Sequence, residues 1–199
     1  MIKIGITGGI GSGKSTVSTI FKLHGVPVYN ADEETKKLNN SSPIIREQLT
    51  KHFGADLYIN NELDKKKFAD IIFNDTEKLK LANSIIHPEV LNHFTLWCKQ
   101  HSNQPIVALE AAILFESNFH KYLHKVVTVY SPLQIRVKRV SERDNVSSTM
   151  VENRIKHQMP ENEKIRLSEY VIVNNYQKSL IKQVGDLLKE IDCNSIITQ

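Results

Sequence analysis

The sequence predicts an α/β protein, with a parallel sheet flanked by helices and a helical insertion. Three observations carry that expectation. Short strand-like runs recur at Ile2–Thr7, Val26–Tyr29, Pro105–Leu109, Lys125–Tyr130 and Tyr170–Val173. Helical patterns separate them, as parallel strands require. Between the first strand and the first helix lies GITGGIGSGKST, Gly5–Thr16, twelve residues that hold five of the chain's eight glycines.

Each element has its own local reason. Gly13–His24 reads as a helix whose apolar face is Val17, Ile20, Phe21 and Leu23. Residues 33–103 carry helical patterns without strong strand signals. One helix follows Ser42-Pro43, a cap with proline at the first helical position. A second starts near Asp64 and gathers Phe68, Ile71 and Ile72; a third follows Asp75-Thr76 and gathers Leu79, Ala82 and Ile86. Pro88 is expected to open a fourth, through Val90, Leu91, Phe94 and Trp97. Further helices are expected over Pro132 to Arg143 and Thr149 to Gln158. Gln177–Ile191 closes the series through Leu180, Ile181, Val184, Leu187, Leu188 and Ile191.

Composition narrows the function. At 199 residues the chain fits one domain with an inserted subdomain. A net charge of +4 suits an anionic small ligand and is too small and dispersed to argue for nucleic acid. No apolar run approaches a membrane span, no secretory leader is expected, and Cys98 and Cys193 show neither metal-like nor redox spacing. A reducing, cytoplasmic setting is the simplest expectation. Oligomeric state is not encoded in any motif.

Gly8-Gly9-Ile10-Gly11-Ser12-Gly13-Lys14-Ser15 fits G-x-x-x-x-G-K-[ST], after a strand and before a helix. A turn that wraps phosphate must point several N–H groups inward, which demands unusual dihedrals and close backbone approach. The helix that follows, through Thr16, adds unpaired N–H groups and the positive end of its dipole. Lys14 is expected to reach the β- and γ-phosphates of ATP, and the Ser15 hydroxyl to bind Mg²⁺. The dinucleotide fingerprint G-x-G-x-x-G fails, because from Gly9 its third glycine falls on Lys14.

Among P-loop proteins, a signalling GTPase needs Asn-Lys-x-Asp, which is missing from the sequence. A small-molecule kinase needs an acid near the acceptor hydroxyl, a helical acceptor region and an arginine-bearing lid. Asp32, just past the second strand, is placed to act as base or to cap a helix. Arg139 and Arg143, four apart, share a helix face and can clamp a triphosphate; Arg136 lies on much the same side. Glu110 ends an apolar strand and can support Mg²⁺ through water, with Glu116 six residues on. His87 precedes Pro88 at an expected helix boundary.

The ordered set of segments resembles the dephospho-CoA kinase family. The resemblance runs through GITGGIGSGKSTV, VYNAD, HFGADL, LDKKKFADIIFND, IHP, AILFES, QIRVKRVSERD and HQMPENEK with YVIVNN. It implies transfer of the γ-phosphate of ATP to the ribose 3′-hydroxyl of dephospho-CoA, with Mg²⁺. It also implies that Asp32 is the base, that Arg139 and Arg143 serve the lid, and that Asn174 lies near adenine. His87 and Glu116 become substrate-binding candidates. The implied division is a nucleotide core at 1–32, 104–114 and 125–199, an acceptor domain at 33–103 and a lid over about 115–158. Asn30 replaces the first acid of the family's Asp-Ala-Asp. A nucleoside or nucleotide monophosphate kinase, or a nucleotide-binding module without catalysis, stand as alternatives.

Overall fold

A computed structural model describes residues 1–73 and 75–197. Its central feature, among these residues, is a five-stranded sheet of β1 (Ile2–Thr7), β2 (Val28–Asn30), β5 (Ile106–Glu110), β6 (Lys125–Tyr130) and β7 (Tyr170–Val173). Their order is β2-β5-β1-β6-β7. β1 runs parallel to both neighbours, with Ile2 opposite Ile106 and Ile4 opposite Lys125, and β7 is parallel to β6. The order places β1 at the centre, so the turn that leaves it opens at the middle of the carboxyl edge.

The chain divides into two compact units, Met1–Tyr29 with His101–Gln199, and Asn30–Gln100. In the first, α1 (Lys14–Leu23) and α9 (Leu180–Ile197) cover one face of the sheet. Val17, Ile20 and Phe21 from α1 meet Val184, Leu187 and Ile191 from α9 over Ile4, Ile6, Val127, Val129 and Ile172. Two residues assigned to these apolar faces point elsewhere: Leu23 is 78% exposed and Ile181 64% exposed. Leu23 is the last residue of its helix, and Ile181 is the second of its own, so each lies at a helix end. The unit also holds α6 (Leu133–Asp144), α7 (Ser148–Lys156) and α8 (Glu161–Arg166). The last is a six-residue helix that residue patterning did not predict.

The second unit contains α2 (Ala31–Ser41), α3 (Pro43–Phe53), α4 (Lys65–Phe73) and α5 (Thr76–Gln100). Ser42 caps α3 as expected: its side chain accepts the N–H of Ile45, with Pro43 at the first helical position. Two expectations are corrected. A two-stranded hairpin, β3 (Tyr58–Ile59) and β4 (Glu62–Leu63), lies inside the region expected to carry helices without strands. Its turn is Asn60-Asn61, both with positive φ, the geometry that twists a two-residue hairpin correctly. The two helices expected on either side of Pro88 are one helix of 25 residues. Proline inside a helix costs about 3 kcal/mol. The buried stripe Ala82, Ile86, Val90, Phe94 and Cys98 crosses that point without interruption, and it packs among α2, α3 and α4. Burial of roughly 2 kcal/mol per large apolar side chain outweighs the proline.

Candidate active site

The glycine-rich loop folds as a turn of N–H groups closed by α1. Ser12 N–H donates to the Gly9 carbonyl at 3.1 Å, and Val17 N–H to the Gly13 carbonyl at 3.1 Å. Gly13 precedes the helix with φ 95° and ψ 28°, a left-handed conformation that a side chain disfavours. No side chain caps α1, so its first N–H groups face the loop rather than a cap. Lys14 folds back across the turn, its Nζ 2.9 Å from the Gly8 carbonyl and 3.3 Å from that of Gly9. Its ammonium is thereby set over the backbone amides of the loop. Ser15 and Thr16 are exposed in the first turn of α1. A hydroxyl there, beside a lysine and a row of N–H donors, fits the donor set of a triphosphate with its divalent cation.

Three distant segments enclose this loop. From the end of β7, Asn174 is buried and donates through Nδ2 to the Ser12 carbonyl at 2.8 Å. Its own carboxamide oxygen accepts from Arg139 Nη2 at 3.1 Å. From α6, Arg139 also sends Nη1 to the Gly11 and Ser12 carbonyls at 3.3 and 3.4 Å, and to Ser131 Oγ at 3.3 Å. Its guanidinium carbon lies 4.5 Å from the Tyr176 ring centroid, so an aromatic face steadies the cation. From the stretch that enters α8, Gln158 and Glu161 reach the loop. Ile10 N–H donates to Gln158 Oε1 at 2.8 Å, and Gly9 N–H to Glu161 Oε1 at 3.2 Å. Glu161 is ion-paired with Arg136, which is buried. Burial lowers the Arg136 guanidinium from its ordinary value, though a group that basic stays charged.

Arg139 and Arg143 do not share partners. Arg143 is engaged by Asp144, at 2.7 Å through Nε and 3.2 Å through Nη2, and Arg154 joins the same carboxylate at 2.8 Å. These hydrogen bonds hold the Asp144 carboxyl below the usual carboxylate range. Glu110 ends β5, buried, beside Ile6 of β1. Glu116 accepts the Met159 N–H at 2.9 Å and pairs at 2.9 Å with the fully buried Lys164. It therefore anchors the segment that carries Gln158 and Glu161.

In the second unit, Asp32 is exposed in the first turn of α2. The cap is Asn30, whose side chain accepts the Glu33 N–H at 3.2 Å, so capping is not the work of Asp32. His87 lies inside α5 instead of at a boundary, and burial lowers its imidazole pKa. A shallow groove in this unit is lined by Lys36, Asn39, Leu63, Lys65, Phe68 and Ile72 among others, and its walls are nearly all apolar.

Sequence patterning noted Arg136 only as lying beside Arg139 and did not assign Gln158 or Glu161 to the site. Arg136 carries a signal, its three-residue spacing from Arg139 on one helix. Glu161 lies 152 positions from Gly9 and Gln158 148 from Ile10, with no periodicity to link them.

A family profile described as dephospho-CoA kinase matches residues 2–179. The chain belongs to the dephospho-CoA kinase family. It is 42% identical over 187 residues to a dephospho-CoA kinase of Bacteroides fragilis, covering 94% of this chain and 91% of that one. Identity to the dephospho-CoA kinase of Porphyromonas gingivalis is 38% over 192 residues, 96% of this chain and 95% of the relative. A solved structure from Thermus thermophilus superposes with a TM-score of 0.80 at 34% identity, covering 97% of each chain. Membership makes the chain a nucleotide-binding kinase that uses ATP, and its loop is the P-loop that such a kinase needs.

Proposed function

We propose that the chain phosphorylates dephospho-CoA at its ribose 3′-hydroxyl, giving coenzyme A and ADP. The observation that carries this reading is the glycine-rich turn between β1 and α1, with Lys14 folded over it, in a chain of this family. The 3′-oxygen attacks the γ-phosphorus, the bond from that phosphorus to the β-bridging oxygen breaks, and ADP leaves. Asp32 takes the hydroxyl proton. The loop amides of Gly8–Gly13, Lys14 and Arg139 hold the phosphate charge as it moves toward the leaving oxygen. Arg143, now engaged by Asp144, serves the same charge when it exchanges that partner. Ser15 would hold Mg²⁺, with Asp32 and Glu110 as candidates to support it through water. The cation supplies charge neutralisation at the phosphates.

The Asn30–Gln100 unit takes the acceptor. Its groove has nearly wholly apolar walls, with Lys36 and Lys65 among the lining residues, which suits a long, partly apolar molecule. His87 and Glu116 act by positioning: one is half-buried on α5, the other tethers the approach to α8. Asn174 shapes the loop and, beside it, the adenine side of the site. A nucleotide monophosphate acceptor is less favoured. Arg46, the arginine of this unit, is held by Asn61 and the Asn40 carbonyl rather than offered to a phosphate. The reaction belongs in the cytoplasm. Among the described residues no helix is long and apolar enough to cross a membrane.

Purified protein with ATP and Mg²⁺ should release ADP when dephospho-CoA is added, with a product one phosphate heavier by mass spectrometry. Stimulation only by a nucleoside or nucleotide would move the assignment to that acceptor. Asp32→Asn should lower kcat by about 10²–10⁴ with ATP affinity little changed; wild-type turnover in that variant would remove the base.

A further inference from the structure

Glu161 lies where a phosphate-binding loop would hold an anion. Its Oε1 accepts the Gly9 N–H at 3.2 Å, and its Oε2 is ion-paired with Arg136 Nη1. Gln158 Oε1 takes the neighbouring Ile10 N–H at 2.8 Å. Backbone N–H groups converging with a guanidinium are the donor set of a phosphate site. A carboxylate presents two oxygens to such donors much as one edge of a phosphate does. The pair is nearly sealed from water, with side-chain exposures of 6% for Arg136 and 14% for Glu161. Glycine at position 9 leaves room for the guanidinium, since a Cβ there would clash with Arg136 Nη1 where it now stands.

We propose that Arg136 is a further triphosphate-binding residue and that Glu161 is an internal anion that holds its place. When triphosphate enters, a phosphate oxygen takes the Gly9 N–H and Arg136, and the Glu161 carboxylate swings away together with Gln158. The proposal rests on the reading of the loop as a triphosphate site. Two anions cannot share this desolvated cluster, because like charges at contact distance repel strongly where water is excluded. The move is small. Glu161 is the first residue of α8, and Lys164 fixes that helix to the Ala112 carbonyl at 2.7 Å and to Glu116 at 2.9 Å. Only the short stretch that carries Gln158 and Glu161 has to shift. Glu161 keeps the buried guanidinium oriented on the loop, at the expense of apparent phosphate affinity.

Calorimetric titration with tripolyphosphate and with ATP, on wild type, Glu161→Gln and Arg136→Gln, tests this. Glu161→Gln should bind tripolyphosphate about tenfold more tightly, because the resident competitor is gone. The same variant without ligand should melt several degrees lower, since Arg136 loses its carboxylate. Arg136→Gln should bind about tenfold more weakly, including in the Glu161→Gln background. Unchanged or weaker binding by Glu161→Gln would make the pair a fixed strut and overturn the proposal. Wild type that binds neither probe would overturn the loop assignment itself, a distinct result. A variant that fails to fold leaves a wild-type measurement: the ¹³C-carboxyl resonance of Glu161, assigned through its backbone, should move on saturation with ATP. A resonance that stays in place would refute the exchange.

Discussion

Replacing Lys164 by methionine removes a charge and leaves most of the volume, and the consequence can be worked from its surroundings. Lys164 is fully buried. Its Nζ donates to the Ala112 carbonyl at 2.7 Å and pairs with Glu116 at 2.9 Å. In Lys164→Met the part-buried Ala112 carbonyl loses its charged donor, which costs about 1–3 kcal/mol. Glu116 loses its cation but keeps the Met159 N–H, and a quarter of its side chain remains in water. Its share is therefore about 1 kcal/mol, well below the 3–5 of a fully buried pair. The total is about 2–4 kcal/mol, which for a chain of this size lowers Tm by about 4–16 °C. Differential scanning calorimetry of Lys164→Met, Glu116→Gln and the double variant supplies the measurement. The double variant should lie about 1 kcal/mol closer to Lys164→Met than additivity requires. A loss below about 2 °C in Lys164→Met would refute the reasoning, because it would mean that the buried ammonium contributes no net stabilisation.

Other outcomes follow from the same geometry. Lys14→Ala should lower kcat by about 10³ or more while the protein still folds, because Lys14 sits on the loop, its Nζ at the Gly8 and Gly9 carbonyls at 2.9 and 3.3 Å, rather than in the apolar core; steady-state turnover with circular dichroism separates the two. Arg139→Ala should disturb both Tm and ATP binding, since its guanidinium joins α6 to the loop and to Asn174, whereas Arg143→Ala should leave Tm within about 1 °C; equal effects on Tm would refute that distinction. Acidification should destabilise the fold through His87 and His124. Burial lowers both pKa values, so the unfolded chain binds more protons and stability falls as pH drops below about 6.5. His124 Nδ1 also accepts the Lys3 N–H at 2.8 Å, a bond that protonation removes. Tm recorded from neutral to acid pH should fall less in His87→Gln than in wild type; parallel curves would exclude His87.

Local chemistry made much of this legible from sequence. The strands over Lys125–Tyr130 and Tyr170–Val173 lie where their β-branched runs predict, and Ser42-Pro43 caps its helix. The P-loop is visible because its glycines answer a local backbone demand. Where prediction failed, a distant partner decided. Pro88 reads as a break until the stripe from Ala82 to Cys98 is seen to be buried on both sides of it. The Asn60-Asn61 hairpin has strands too short to leave a periodic signal. Asp32 reads as a cap candidate from sequence, and only the hydrogen bond from the Glu33 N–H to the Asn30 side chain shows which residue caps the helix. Glu161 and Gln158 gain their meaning from amides about 150 positions away, which no window of sequence connects.

The central place of β1 has a consequence for biosynthesis. Its two sheet partners begin at Ile106 and Lys125, and the contacts that enclose the loop after it come from Arg136, Arg139, Glu161 and Asn174. A ribosome that releases residues in order delivers the phosphate loop first and its walls last. The amino-terminal strand must wait, unpaired, while more than half of the chain is synthesised. A sheet closed by such long-range pairings forms late and slowly. Nascent chains arrested before Asn174 should therefore lack a finished nucleotide site, so a truncated product cannot sequester ATP.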